Sequence, residues 1–353
     1  MAPDEGNEAA FMAGGTNPAD RRDRLRALFT TMARIRAFED AAETASQGGV
    51  SAWGLEASGT PARVRGPLHL STGQEAVATG ICANLRRDDL LTSTHRGHGH
   101  TLAKGANMTA MMCELFGRAT GTNGGKGGSM HIADFSVGML GANGVVAAGI
   151  PIATGAAHAL KLARSDRIVC CFFGDGAINR GPFLEGLNWA QVYQLPVLFV
   201  CEDNRIAATT STRVMTGGEG AAARAAALGL TTLTVDGNDV EAVDAAAARL
   251  SAEVRAGRPA LLHAITYRFK GHVSVDPGRY RDPAEVERAL QDDPLALARR
   301  RMDELGLGDE PQRILDAARA EVDAALATAE SAPYPDPSRA YTDVLDTGAG
   351  RWT

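Results

Sequence analysis

The chain predicts an α/β fold, a mostly parallel sheet flanked by helices, and two features carry that expectation. Between residues 167 and 267, short apolar runs alternate with helix-length segments, the pattern of parallel strands joined by right-handed crossovers. The run 167–173 (Arg-Ile-Val-Cys-Cys-Phe-Phe) ends abruptly in Gly174-Asp175-Gly176, and a second apolar run closes on Glu202-Asp203-Asn204. A carboxylate and a carboxamide thus stand just past the carboxyl ends of two strands, where open α/β sheets bind ligands.

The elements follow in order. Residues 1–20, rich in Gly, Ala and Asn, read as a flexible tail. From Arg21 to Gln47, Leu25, Leu28, Phe29, Met32, Ile35 and Phe38 recur at helical spacing. Residues 48–66 form a connection, Glu75 to Leu85 a helix entered from Ser71-Thr72-Gly73, and 106–118 a helix whose methionines suit a core. The stretch 117–149 is too glycine-rich for regular structure, and loops of that length in compact domains are usually functional. A helix of small residues occupies 150–163. Strand 167–173, helix 182–193 with Pro182 in its first turn, strand 196–202, helix 219–227, strand 230–235, helix 239–256 and strand 259–267 then alternate. Charged helical segments at 283–302 and 310–330 complete one domain, 21–330, and 331–353 reads as a Pro-rich C-terminal tail.

Composition narrows the function classes. With 44% hydrophobic and 22% charged residues the chain has the balance of a soluble globular protein. A formal charge of −6 gives no electrostatic reason to expect nucleic acid or an anionic membrane as partner, so any anion site must be local. Five cysteines show no metal-ligand spacing, and three lie in apolar strand runs, as buried thiols in a reducing compartment would. No stretch is long and apolar enough to span a bilayer. The first twenty residues carry Asp4, Glu5, Glu8 and Asp20 and lack an apolar core, unlike a signal or transit peptide, and the expected location is cytoplasmic.

Asp175 and Asn204 offer two oxygen ligands, which suits a hard cation such as Mg²⁺ shared with substrate phosphates. The glycines flanking Asp175 let a diphosphate approach the backbone. A dinucleotide fingerprint needs G-x-G-x-x-G, but its third glycine position is Asn179, and no P-loop motif occurs. The stretch His95-Arg96-Gly97-His98-Gly99-His100 alternates as a strand or loop would, and no cysteine or carboxylate completes a zinc set. Arg96 there provides a planar fork for phosphate oxygens.

These residues join further motifs: His69-Leu70 before Gly73-Gln74-Glu75-Ala76, then Gly125-Lys126-Gly127-Gly128-Ser129-Met130-His131, Gly141-Ala142-Asn143-Gly144 and Tyr267-Arg268-Phe269-Lys270-Gly271-His272. In this order, with 27 residues between Gly176 and Asn204, the chain resembles the alpha subunit of the decarboxylating component of 2-oxo acid and acetoin dehydrogenase complexes over roughly residues 25–285. The resemblance implies a thiamine-diphosphate-binding fold with extra N- and C-terminal helices, and thiamine diphosphate with Mg²⁺ as cofactors. It implies metal ligation by Asp175, Asn204 and the backbone carbonyl of Ile206. Arg96 and His272 would hold the diphosphate with His95 beside them, although the family often has Tyr at that position. Gly144 and Val146 would hold the aminopyrimidine ring through their backbone, and Gly176 and Ala177 would border the cofactor. His69, His98 and His272 would serve catalysis, the first two facing the reacting ring and the substrate.

The resemblance also implies a beta subunit that supplies the activating Glu in an α₂β₂ heterotetramer, and a lipoyl-bearing acyltransferase as acceptor. Residues 270–278 match the family's mobile active-site loop, with Val273 where some members carry a phosphorylated Ser. Arg180 stands where many relatives have Gln, and Lys270 where some have His. The expected donor is acetoin or pyruvate ahead of a branched 2-oxo acid. The alternatives are a split transketolase-like ketol transferase subunit and a catalytically silent structural subunit.

Overall fold

The computed structural model describes residues 18–47, 61–64 and 66–342; the expected N-terminal tail to residue 17, positions 48–60 and 65 of the connection and residues 343–353 lie outside these. Six parallel strands form the sheet: β1 (Leu90–Thr92), β2 (Met139–Gly141), β3 (Val169–Gly174), β4 (Val197–Asp203), β7 (Thr231–Asp236) and β8 (Ala260–Ile265). Their order is β2-β1-β3-β4-β8-β7. A small antiparallel hairpin, β5 (Ile206–Ala207) and β6 (Thr210–Ser211), follows β4.

Because side chains alternate along a strand, β3 and β4 feed two separate cores. Cys170, Phe172, Leu198 and Val200 face one layer; Val169, Cys171, Phe173, Val197, Phe199 and Cys201 face the other. Burial on both faces explains why these strands read as unbroken apolar runs. The first layer contains α1 (Pro18–Ser46), α2 (Glu75–Cys82), α3 (Gly97–Ala103), α4 (Met108–Leu115), α8 (Val240–Arg255) and α11 (Glu310–Ser331). The second contains α5 (Gly149–Leu162), α6 (Gly181–Val192) and α7 (Gly220–Ala227). Leu25, Leu28, Phe29 and Met32 of α1 pack in a third cluster with Leu295 and Met302 of α10 (Pro294–Glu304). All five cysteines are free and buried, and burial pushes the Cys82 and Cys171 thiols up to about 12.

The structure departs from the sequence expectations in four places. The His95–His100 stretch, read as strand or loop, opens α3. At 3.6 residues per turn, His98 and His100 point roughly 200° apart. Gly97 permits close packing there, since a Cβ would lie 2.8 Å from the Ala142 Cβ. The 117–149 stretch is not wholly irregular: it holds short 3₁₀ turns at Ser129–His131 and Phe135–Val137 and contributes β2, which pairs with β1, a strand the sequence did not reveal. The 283–302 segment splits into α9 (Pro283–Gln291) and α10, with Asp293 capping the second by accepting from Leu295 N–H at 3.0 Å. Residues 332–342 lie against the glycine-rich stretch rather than free of it: Ala119 N–H donates to Pro333 O, Lys126 Nζ donates to Thr342 O, and Arg118 lies 4.1 Å over the Tyr334 ring.

The glycine-rich stretch is organised by one carboxylate. Glu114, fully buried at the end of α4, accepts from the N–H groups of Asn123, Gly125, Gly127 and Gly128 at 2.7–3.1 Å. Four donors converging on an ionised group replace the helix or sheet bonds this segment lacks.

Candidate active site

The chain leaves β1 to one side toward β2 and to the other toward β3, so the strand order reverses at β1. Ligands bind outside the carboxyl ends of strands at such a switch point. A cavity of about 560 Å³ opens there, lined by the segments leaving β1, β2, β3, β4 and β8. Its size is that of a small-molecule or cofactor site.

The metal candidates lie on the β3–β4 side. Asp175 begins a 3₁₀ turn directly after β3 and is 5% exposed. Its Oδ1 accepts from Gly176 N–H at 2.8 Å, and its Oδ2 is buried without a partner. Burial and the neighbouring Asp203 carboxylate raise Asp175 to about 7. Burial alone would raise Asp203 too, but the His263 hydrogen bond at 2.8 Å and the Arg205 N–H hold it below the usual carboxylate range. Asn204 follows β4, its Nδ2 donating to Gln74 Oε1 at 3.1 Å and its Oδ1 accepting from Ile206 N–H at 3.1 Å. Gly176 is required by close approach, since a Cβ would meet the Ala207 Cβ at 2.9 Å. An orphaned buried carboxylate oxygen beside an amide oxygen is the donor set a hard divalent cation satisfies.

The opposite wall is cationic. Arg96 is 5% exposed and makes no ion pair with a described residue; it donates to Leu70 O at 2.8 Å and His272 O at 2.9 Å, with His272 Nδ1 at 3.2 Å. Burial and then Arg268 lower it to about 9. Arg268, 3% exposed, donates to Lys270 O, Ala208 O and the Tyr280 hydroxyl, and burial lowers it as well. His69, His95 and His272 cluster beside them, with ring centroids 4.6–5.9 Å apart. Burial, and then the Arg96 charge, hold His69 at about 3, His95 at about 2 and His272 at about 4. Their ring nitrogens lie within 4.8 Å of one another. The adjacent guanidiniums repel a metal there and favour an anion, which supplies the missing countercharge.

The remaining sequence-predicted residues divide. Gly144, Val146, Gly176, Ala177 and Ile206 line the cavity along with His69, His95, Arg96, Asp175, Asn204 and His272. His98, expected to face the reacting ring and substrate, does not line it. It is fully buried, with Nδ1 2.9 Å from Glu39 Oε2 and Nε2 3.0 Å from Ser129 Oγ. Glu39 also accepts from Ser71 N–H and Oγ, so His98 joins α1 and the segment after His69 to the glycine-rich stretch. Facing the other way, His100 stacks on Phe172 at 3.8 Å and joins Ser93 to Glu202, both on the cavity floor.

Sequence reasoning missed Arg268 and Gln74. Arg268 stood inside a quoted motif, and its signal was a buried-strand exit followed by an arginine with no acidic neighbour. Gln74 also stood inside a motif, Gly73-Gln74-Glu75-Ala76, but nothing local marks its role, since its partner Asn204 is 130 residues away. The expected mobile loop is held by Asp276, which accepts from the N–H groups of His272 and Gly278 and from the Tyr280 hydroxyl, while Lys270 pairs with Glu43 at 2.6 Å.

Residues 58–338 match the family model described as the dehydrogenase E1 component. The chain belongs to that family, and the family implies thiamine diphosphate. It is 41% identical over 323 residues, 90% of the chain and 92% of the relative, to the alpha subunit of acetoin:2,6-dichlorophenolindophenol oxidoreductase from Bacillus subtilis. The protein of the same name from Cupriavidus necator is 43% identical over 286 residues, 80% of the chain and 86% of the relative. The pyruvate dehydrogenase E1 component subunit alpha of Rhizobium meliloti is 36% identical over 338 residues, 94% of the chain and 93% of the relative. The fold of this E1-family chain is thus an α/β, thiamine-diphosphate-binding one with added terminal helices, and the chain is an oxidoreductase subunit.

Proposed function

We propose that this E1 chain cleaves acetoin or a 2-oxo acid, pyruvate ahead of branched acids, and passes the acyl group to a lipoyl-bearing acyltransferase. The observation that carries the site assignment is the buried Asp175 Oδ2, unpartnered among the described residues, in one cavity with two buried arginines that make no ion pair with a described residue. Asp175, Asn204 Oδ1 and the Ile206 carbonyl hold Mg²⁺; Arg96, His272 and His95 hold the diphosphate, and Arg268 adds a second guanidinium. Gly144 and Val146 meet the aminopyrimidine through their backbone, and Gly176 and Ala177 border the cofactor. Thiamine diphosphate held there would supply the nucleophile and the electron sink for C–C cleavage. His69 and His272, held neutral by burial and the Arg96 charge, would accept and return protons at the substrate oxygen. His98 positions the glycine-rich wall.

Among the described residues lining the cavity, the carboxylates are Asp175 and Glu202, and His100 engages Glu202. This supports the reading that the acid activating the pyrimidine comes from a beta chain, in an α₂β₂ assembly. An apolar rim supports that partner: Val145 and Val146 at the mouth are exposed, as are Ile152 on α5 and Leu184, Trp189 and Val192 on α6.

The test is thiamine-diphosphate-dependent reduction of an artificial electron acceptor by the assembly purified through a tag on this chain. Turnover with acetoin or pyruvate, lost when the co-purifying chain is stripped, is expected. Faster turnover with branched 2-oxo acids would overturn the substrate assignment, and ketol transfer without acyl oxidation would overturn the reaction.

A further inference from the structure

A second depression, of about 1140 Å³, lies beyond β4 toward the β8–β7 edge and meets the cavity at one place. Asp175 and Ile206 line both. The two hollows differ in charge. The cavity carries three arginines and three histidines against two carboxylates. The groove carries seven carboxylates against four arginines and one histidine. Asp203 stands in the groove directly beside Asp175, and Asp236, Glu285 and Asp292 lie exposed farther out. Asp175 itself is more than nine-tenths buried and presents an oxygen that no described residue satisfies.

We propose that the divalent cation reaches Asp175 through this acidic groove, on the side away from the diphosphate. This deepens the metal assignment above and rests on it. The physics is that of opposed fields. A cation approaching through the cavity passes Arg96, Arg180 and Arg268, whereas one entering by the groove passes a surplus of carboxylates that raises its local concentration. Asp203 serves as the last carboxylate on the way, held in place by His263 and by the Arg205 N–H.

Two kinetic readouts on the assembled enzyme test this, with Mn²⁺ as the probe and an indicator dye reporting the free ion. First, association is compared between wild type and Asp236→Lys/Glu285→Lys/Asp292→Lys. The variant is expected to bind Mn²⁺ about tenfold more slowly at low ionic strength, and within about twofold of wild type at about 0.5 M salt. Its thiamine diphosphate affinity at saturating cation is expected to stay unchanged. Glu285→Lys alone, an exposed change on α9, should give about a threefold slowing and serves if the triple variant is unstable. Second, exchange of Mn²⁺ into the Mg²⁺-loaded assembly is followed as free thiamine diphosphate is raised. Entry by the groove predicts a rate independent of cofactor concentration.

A wild-type association rate in the reversed variants at low salt would overturn the proposal. So would exchange suppressed by excess cofactor, because the cation would then be entering from the front. Asp175→Asn separates this from the underlying assignment. If that variant still binds Mn²⁺ at wild-type affinity, the metal site itself is wrong; if binding is lost while charge reversal has no effect, only the route is wrong.

Discussion

Buried charge is treated in opposite ways at the two ends of the sheet. At the amino end, Asp89 beside β1 is fully buried and fully answered: it takes two bonds from Arg255, at 2.7 and 3.0 Å, and accepts from Arg86 N–H and Ile168 N–H. Among the surrounding helices, Glu75 pairs with Arg36, which also reaches Asp293, and Glu114 takes four backbone donors. At the carboxyl end, among the described residues, Arg96 has no carboxylate, Asp175 Oδ2 has no donor and His69 Nδ1 has no partner. A buried polar group left unanswered is unfavourable unless something outside the chain answers it. The first end is complete within the chain, whereas the second is completed by a ligand.

That contrast can be broken by mutation. Asp89→Ala should lower unfolding free energy by about 3 kcal/mol, because it strands a half-buried guanidinium and two N–H groups. Chemical denaturation would check it, and thiamine diphosphate affinity in the folded fraction should not move. Arg96→Met should do the reverse. Cofactor affinity falls about 100-fold with the loss of charge-assisted bonds, while the cofactor-free protein loses less stability than with Asp89→Ala, since the unanswered charge leaves along with its bonds to Leu70 O and His272 O. Calorimetric titration paired with a melt decides it; a large loss of stability without loss of binding would put Arg96 among the structural charges. Glu114→Gln sits between the two. One carbonyl oxygen replaces two carboxylate oxygens before four donors, so stability should fall by about 2 kcal/mol. The loosened wall at Met130 should weaken cofactor binding about threefold.

Protonation gives a further test. His69, His95 and His272 stay neutral in the folded chain down to about 3, 2 and 4. In the unfolded chain they take up protons below about 6.5. The unfolded state therefore binds more protons as pH falls from about 6.5 toward 4, and stability declines over that window. Asp175, raised to about 7, has the opposite slope between about 7 and 4 and offsets one of the three. Denaturation midpoints of the cofactor-free protein should drop below pH 6.5, and His272→Gln should flatten the drop.

The sequence made one side of the sheet legible and hid the other. Strands β3, β4 and β8 announce themselves as apolar runs bounded by turns, and β7 (Thr-Thr-Leu-Thr-Val-Asp) by its place in the strand–helix alternation. Three-residue β1 and β2 do not, since their pairing is set by tertiary contact. The α3 helix was masked by its own histidines. Alternation in Gly-His-Gly-His suggests a strand, but here it sends His98 toward Glu39 and His100 toward Glu202 on opposite sides. The role expected for His98 at the reacting ring came from the family resemblance through the His95–Gly99 motif; its partner Glu39 is 59 residues away. Residues fixed by local geometry after strands, such as Asp175 and Asn204, were readable, whereas those defined by distant partners were not.

The central claim is that the carboxyl end of the sheet is left incomplete for a cation and a diphosphate together. Titration of the assembly with thiamine diphosphate, with and without Mg²⁺, in wild type and Asp175→Asn, tests it most directly. The account predicts tight binding only when Mg²⁺ is present, and in the variant a loss of about 100-fold with no residual dependence on Mg²⁺. Equal affinity with and without the metal, or a variant that keeps the metal dependence, would contradict it.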